Sequence, residues 1–318
     1  MSFSSRTKGE LARIYSEDRC CQLAELAALV RMSGTLQLIG GKQKLNIKLI
    51  TENPAVARKL FRLFKTLFNI NIEVMVKRGP RLRKRNYYLM IVTDDMGSNS
   101  ILKEIEILKQ RDNLFDISYE TPAGLLEKRC CKRAYLRGAF LGGGSVSDPG
   151  KTYHLEFVSH SLVHGESLRD LVNSFGLKSK IAERKGHYVV YLKEGDQVAD
   201  LLNIIGAHSA LLSLENTRIY KQMRNDVNRI VNCETANLGK VVNAAVRQIE
   251  NIMYIKDTVG LGYLPANLQE VAQLRLKCRD ASLKELGQML NPPIGKSGVN
   301  HRLRRIDEIA DRLQKNKR

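Results

Sequence analysis

Two stretches decide the fold, CCQLAELAALVRMSGTL at residues 20–36 and CCKRAYLRGAFLGGGSV at residues 130–146. They align without a gap at an offset of 110 residues, each opening on adjacent cysteines and running through an apolar pattern of helical spacing into a glycine. Self-similarity at a fixed offset identifies a repeat. The flanks repeat too. After the first copy, LNIKLITEN (45–53) alternates as a strand does. AVARKLFRLFKTLF (55–68) then has helical spacing at Leu60, Leu63, Phe64 and Leu67, and INIEVMV (70–76) and YYLMIVT (87–93) alternate again. After the second copy YHLEFVS, ESLRDLVNSFG, LKSKIAER and HYVVYLK follow in the same order. Each copy therefore reads as helix, strand, second helix and strands, with a further short strand expected just after the first helix. Such an α+β module gains a core when its two copies bury their leading helices against each other.

Past Gly206 the pattern changes. Residues 216–255 are helical in spacing and rich in Arg and Asn, and GLGYLPAN (260–267) then breaks the helix. Three short amphipathic helices are expected beyond it. NLQEVAQLRLK carries Leu268, Val271, Ala272 and Leu274; SLKELGQML opens with Ser282 and Glu285 in capping-box spacing and carries Leu283, Leu286, Met289 and Leu290. The third begins at Ser297, with Val299, Leu303, Ile306, Ala310 and Leu313 on one face. These readings divide the chain into a duplicated domain at 1–210 (repeats at about 1–110 and 120–210), a helical Arg/Asn-rich connector at 211–262 and a helical domain at 263–318.

The second and third of these helices are joined by NPPIGK, which cannot continue a helix through Pro292 and Pro293. Helix, sharp turn and basic helix is the DNA-reading arrangement. Gly287 suits a place where another backbone crosses closely. If the apolar stripe faces inward, Asn300, His301, Arg304 and Arg305 turn outward, and Arg and Asn are the side chains that pair bidentately with guanine and adenine. Ser282, Lys284, Lys296, Ser297 and Arg302 complete the expected DNA-binding set in this domain. A second basic element, VKRGPRLRKRN (76–86), holds Lys77, Arg78, Arg81, Arg83, Lys84 and Arg85 with no acid among them. Arg81, Arg83, Lys84 and Arg85 are expected to meet phosphates.

Composition agrees with a polyanionic partner. The 318 residues include 52 Lys and Arg against 33 Asp and Glu, a net charge of +19 without a poly-basic tail. No 18-residue apolar run occurs and the first twenty residues lack a signal-peptide pattern, so the expectation is a cytoplasmic, nucleoid-associated protein with no membrane contact. The six cysteines form no C-x-x-C; adjacent cysteines are poor joint chelators, and all are read as small buried hydrophobes in a reducing compartment.

The repeated segments LAALVRMSG (26–34) and LRGAFLGGG (136–144) resemble the nine-residue signature of the LAGLIDADG homing endonucleases. The resemblance implies a pseudo-twofold pair of αββαββα modules. In that family the eighth motif residue is an acid that holds a catalytic divalent metal. Here those positions are Ser33 and Gly143, neither a carboxylate, and Asp148 has no counterpart in the first copy. No catalytic or metal-binding residue is therefore assigned. Together with IVNCETANLGK, ASLKELGQML and GKSGVNHRLRRID, the whole chain resembles the WhiA family. That implies an α+β, duplicated LAGLIDADG endonuclease-like domain followed by an all-α helix-turn-helix domain like region 4 of sigma factors. It also implies a sequence-specific binder of double-stranded DNA, a transcriptional regulator in cell division, chromosome segregation or sporulation, with a WhiB-like or other regulatory protein as partner. No cofactor, small-molecule substrate or nuclease activity is expected. The rivals are an active nuclease using other acids, and a division or segregation scaffold in which DNA contact is accessory to a protein partner.

Two remaining patterns mislead. GGSVSDPGKT (143–152) nearly spells a nucleotide-binding loop, but Ser145 stands at the first glycine and the element order is reversed. His160 and His164 are four residues apart without a third ligand, and read as surface histidines at a helix start.

Overall fold

A computed structural model describes residues 2–39, 44–78, 86–111 and 114–315. The chain divides into two compact units, residues 1–221 and 222–318. The first opens with helix α1 (Phe3–Leu11) and holds two copies of one module. Copy one is α2 (Arg19–Ser33), β1 (Gly34–Ile39), β2 (Lys44–Thr51), α3 (Pro54–Phe68), β3 (Val74–Arg78), β4 (Asn86–Val92) and α4 (Ser98–Glu104). A hairpin of β5 (Leu108–Arg111) and β6 (Leu114–Ile117) follows. Copy two is α5 (Arg129–Gly143), β7 (Gly144–Val146), β8 (Leu155–Ser159), α6 (Leu162–Asn173), β9 (Lys180–Arg184), β10 (His187–Leu192) and α7 (Gly195–Ile205). The strand orders β1-β2-β4-β3 and β7-β8-β10-β9 coincide, antiparallel throughout, which establishes the duplication. The short strand expected after each leading helix is β1 in one copy and β7 in the other. Of the strand expected over 70–76 only the end forms, since β3 starts at Val74, though Ile72 is buried.

Local chemistry sets the boundaries. Asn53 caps α3 by accepting from Ala55 N at 2.9 Å, Pro54 supplies a preset first turn, and Asn69 ends the helix in the left-handed region at φ 58°. Ser161 caps α6 in the same way, its hydroxyl accepting from His164 N at 3.5 Å.

The core is organised about α2 and α5, which lie against each other and are buried along nearly their whole length. Their backbones approach closely because copy two places glycine where copy one bulges. A β-carbon at Gly138 would overlap the Glu25 carbonyl oxygen, and one at Gly142 would lie 2.7 Å from Met32 Cβ.

Equivalent positions of the two helices, Glu25 and Tyr135, carry buried polar groups that the apolar spacing conceals. Glu25 pairs with Lys59 of α3 at 2.7 Å and with Arg137 at 2.9 and 3.1 Å, and Lys59 also donates to the carbonyls of Leu11 and Ile14. In copy two the Tyr135 hydroxyl meets His164 Nε2 at 2.9 Å, and Ser159 Oγ lies 3.2 Å from His164 Nδ1. His164 is thus not a surface residue as expected: α6 starts at Leu162 and turns it inward, whereas His160 precedes the helix and stays exposed. Of the six cysteines, only Cys21 and Cys131 are fully buried; Cys130 and Cys233 are exposed, and Cys20 and Cys278 lie between.

In Glu25→Gln two buried cations lose their counterion, which should cost about 3–5 kcal/mol in urea unfolding of the full chain. A loss below about 1 kcal/mol would show that the ion triad is not a structural tie.

Burial, with a smaller contribution from Arg31, pushes the His164 pKa down to about 4. An unfolded histidine titrates near 6.5, so between these values the unfolded chain takes up the proton and the folded chain does not. Stability should therefore fall, by up to about 3 kcal/mol from this group, as pH drops from about 6.5 to about 4. His164→Gln, which cannot charge, should be flatter over that window; an unchanged slope would assign the pH response to other groups.

Candidate nucleic-acid interface

The second unit takes its elements from the later part of α8 (His208–Thr258), followed by α9 (Ala266–Lys277), α10 (Leu283–Gln288) and α11 (Lys296–Lys315). Its core gathers Val299, Leu303, Ile306 and Ala310 of α11 against Leu268, Val271 and Ala272 of α9, Leu286 and Leu290 about α10, and Ile252 and Ile255 of α8. The stripe read from the sequence is the inward face. α10 begins with a capping box: Glu285 N donates to Ser282 Oγ at 3.3 Å, and Ser282 N donates to Glu285 Oε2 at 2.7 Å. After α10 the chain turns back so tightly that Ile294 N donates to Gly287 O at 3.0 Å, and a β-carbon at Gly287 would overlap the Ile294 carbonyl oxygen. Two polar ties had no signal in the sequence. Buried Arg275 donates to Gln248 Oε1 at 3.2 Å and to Ala281 O at 2.7 Å, fixing α9 to α8 and to the entry of α10. Asn251 of α8 donates to Asp307 of α11 at 2.8 Å.

The packing fixes where the candidate side chains stand. Lys296, Ser297, His301, Arg304 and Arg305 are exposed on α11, and Asn300 is half-buried beside them. Arg302 is drawn back, donating to Asn267 O at 3.3 Å. Ser282 and Lys284 are exposed at the start of α10, although the Ser282 hydroxyl is engaged in the cap. Arg81, Arg83, Lys84 and Arg85 lie outside the described residues; Lys77 and Arg78, at the end of β3 just before them, are exposed.

At the glycine ends of α2 and α5, Ser33 Oγ donates into its own helix, to Leu29 O at 2.7 Å. Gly143 carries no side chain, and a β-carbon there would lie 2.5 Å from Cε at the flexible end of Met32 and 3.0 Å from Val158 O. Asp148 is exposed and occupied in the β7–β8 turn, where its carboxylate accepts from Gly150 N at 2.8 Å; GGSVSDPGKT is this hairpin. The acid beside the second motif is Glu156, paired with Ser145 in register, hydrogen-bonded to it at 3.1 Å and to His154 at 2.9 Å, and ion-paired with Arg184 at 3.7 Å. Its counterpart in copy one, paired in register with Thr35, is Lys48. A cation therefore stands where symmetry would need the second acid, so among the described residues the motif ends offer no matched carboxylates. The sheet faces differ accordingly: copy one presents Lys48 and Lys77, while copy two has its central glutamate neutralised by neighbours.

Three family models match in chain order: a WhiA N-terminal LAGLIDADG-like domain over residues 19–108, a WhiA LAGLIDADG-like domain over 132–224, and a WhiA C-terminal HTH domain over 227–310. A relative from Alkaliphilus oremlandii (strain OhILAs), named "Probable cell division protein WhiA", is 75% identical over 317 residues, covering 100% of this chain and 99% of its own. The chain belongs to the WhiA family. A relative of the same name from Thermoanaerobacter sp. (strain X514) is 58% identical over 99% of this chain and 98% of its own. The crystal structure of full-length DUF199/WhiA from Thermatoga maritima superposes with a TM-score of 0.59 at 26% identity, covering 98% of this chain and 99% of that one.

The match to the WhiA C-terminal HTH domain spans α9, α10 and the part of α11 that carries Lys296, Ser297, Asn300, His301, Arg304 and Arg305. Its geometry rests on the turn at Gly287. Gly287→Ala should force the Ile294 carbonyl away at a cost of about 1–3 kcal/mol, confined to the second unit. Hydrogen exchange of amides 296–306 should then quicken while the amides of α2 and α5 keep their protection. Unaltered exchange in α11 would mean that the turn has slack.

Proposed function

We propose that this WhiA-family protein is a sequence-specific binder of double-stranded DNA that regulates genes of cell division, chromosome segregation or sporulation on the nucleoid, with α11 reading bases. The observation that carries this reading is the division of α11 into two faces. Val299, Leu303 and Ile306 are fully buried, so Asn300, His301, Arg304 and Arg305 are held outward in its first half on a supported helix. Lys296, Ser297, Lys284 and Ser282 flank that face as phosphate contacts, and Arg302 acts by fixing α11 to α9. The relatives named as cell division proteins support the cellular role.

The LAGLIDADG-like unit is read as a second, non-cutting DNA surface. Metal-assisted hydrolysis needs carboxylates to position the ions, and the motif ends carry a self-bonded serine, a glycine, and a Lys48/Glu156 pair instead of two acids. Lys48 and Lys77 give copy one a basic side of that surface, and Arg81, Arg83, Lys84 and Arg85, which follow Lys77 in the sequence, are proposed as further phosphate contacts.

One observation favours an accessory protein partner such as a WhiB-like regulator: α8 exposes Met223, Val227, Ile230, Val231 and Leu238. In the scaffold reading that contact is primary and DNA is incidental. The two readings separate on sequence dependence. Arg304→Ala and Asn300→Ala should each lose about 1–3 kcal/mol of discrimination between a selected site and a scrambled one at equal salt, while folding and non-specific affinity persist. Wild-type protein that binds both sites equally would establish the scaffold reading. Folded variants that keep the full ratio would move base reading to the LAGLIDADG-like unit.

A further inference from the structure

The packing of α2 on α5 brings together thiols that lie 110 residues apart in the chain. Cys20 and Cys21 occupy the first turn of α2, and Cys130 and Cys131 the first turn of α5. Cys21 Sγ lies 3.9 Å from Cys131 Sγ, and the sulfurs of Cys20, Cys21 and Cys131 all lie within 4.8 Å of one another. Cys130, exposed, is the neighbour of Cys131 in the first turn of α5. Adjacent cysteines on one helix diverge, which is why the sequence alone argues against chelation. A second helix meeting the first at the same level closes the set from the other side.

We propose that Cys20, Cys21 and Cys131, with Cys130 beside them, bind one thiophilic metal ion of the Zn²⁺ or Cu⁺ class, and that the ion ties the two repeats together. The spacing fits thiolate coordination. Metal–sulfur bonds of about 2.3 Å at tetrahedral angles hold sulfurs about 3.8 Å apart. The 3.9 Å separation of Cys21 and Cys131 is already that value, and the third sulfur needs only a small approach. A disulfide instead requires sulfurs about 2.0 Å apart, a much larger movement of two buried side chains. An all-sulfur set selects a soft ion over Mg²⁺ or Ca²⁺.

The helix termini favour bound thiolates. The N-terminal ends of both helices, where the helix dipole is positive, converge on the sulfurs, and neither Asp18 nor Lys128 caps its helix with a side-chain hydrogen bond. Thiol ligation releases protons, so binding at such a set tightens as pH rises. The site lies at the opposite end of α2 and α5 from Ser33 and Gly143, so it is separate from the position of nuclease metals in LAGLIDADG enzymes and independent of the DNA-binding proposal.

The test is metal binding by the full chain, purified with reductant, stripped with chelator and titrated separately with Zn²⁺ and Cu⁺, with Co²⁺ as an optical probe. Wild type and a Cys233→Ser control should bind one ion per chain, show thiolate-to-Co²⁺ charge-transfer absorption, and melt at a higher temperature when loaded. Cys20→Ser, a near-isosteric change at a half-exposed position on the margin of the core, should bind at least about tenfold more weakly, since loss of a mere supporting partner already costs that much. Cys131→Ser should abolish the charge-transfer band; if that buried variant fails to fold, Cys20→Ser decides. Zn²⁺ or Cu⁺ binding alone identifies which ion the site selects. The proposal falls if the stripped wild type binds neither ion, if Cys20→Ser binds as the control does, or if mapping finds a Cys21–Cys131 disulfide in the reduced preparation.

Discussion

The close contact of α2 with α5 is the constraint on which the first unit depends. Two helices can approach this far only where one of them has no side chain in the way, and Gly138 and Gly142 supply that against Glu25, Ala28 and Met32. Everything else hangs from this seam. Each helix leads directly into the edge strand of its own sheet, β1 or β7, so the relative placement of the two sheets follows from the placement of the two helices. The same contact sets Gly143 against Met32 and Val158.

The seam carries a cost that the molecule meets differently in its two halves. Glu25 and Tyr135 occupy equivalent positions and both are buried, yet one needs a full counter-charge and the other only a neutral partner. Lys59 and Arg137 neutralise Glu25, with backbone carbonyls taking up further Lys59 donors. Tyr135 is satisfied by a histidine that burial keeps uncharged. Two copies of one module have thus kept their geometry while diverging in the chemistry that ties their helices. Their surfaces have diverged as well, as Lys48 opposite Glu156 shows.

The second unit solves a smaller version of the same problem. Gly287 lets the turn cross α10 at backbone distance, Arg275 bonds α9 to its neighbours from inside, and the apolar stripe of α11 fills the remaining space. The result is a supported helix whose orientation does not depend on its outward residues. Those residues are then free to be selected for what they contact, which is the physical condition for reading bases.

Sequence alone established the duplication, because adjacent cysteines and terminal glycines mark the same register 110 residues apart, and the capped, stripe-bearing helices of the second unit, because periodicity and capping are local properties. It also marked the substitutions at Ser33 and Gly143. Tertiary structure decided what depends on meetings between distant residues. Lys59 reads as one more cation on an amphipathic helix until Glu25 is placed beside it. His164 reads as a surface residue until α6 turns it toward Tyr135. The cysteine pairs, which look dispersed along the chain, converge only once the two helices pack. A side chain's burial and partner are set by which elements lie against it, and a periodic pattern records the face it occupies without recording who stands opposite.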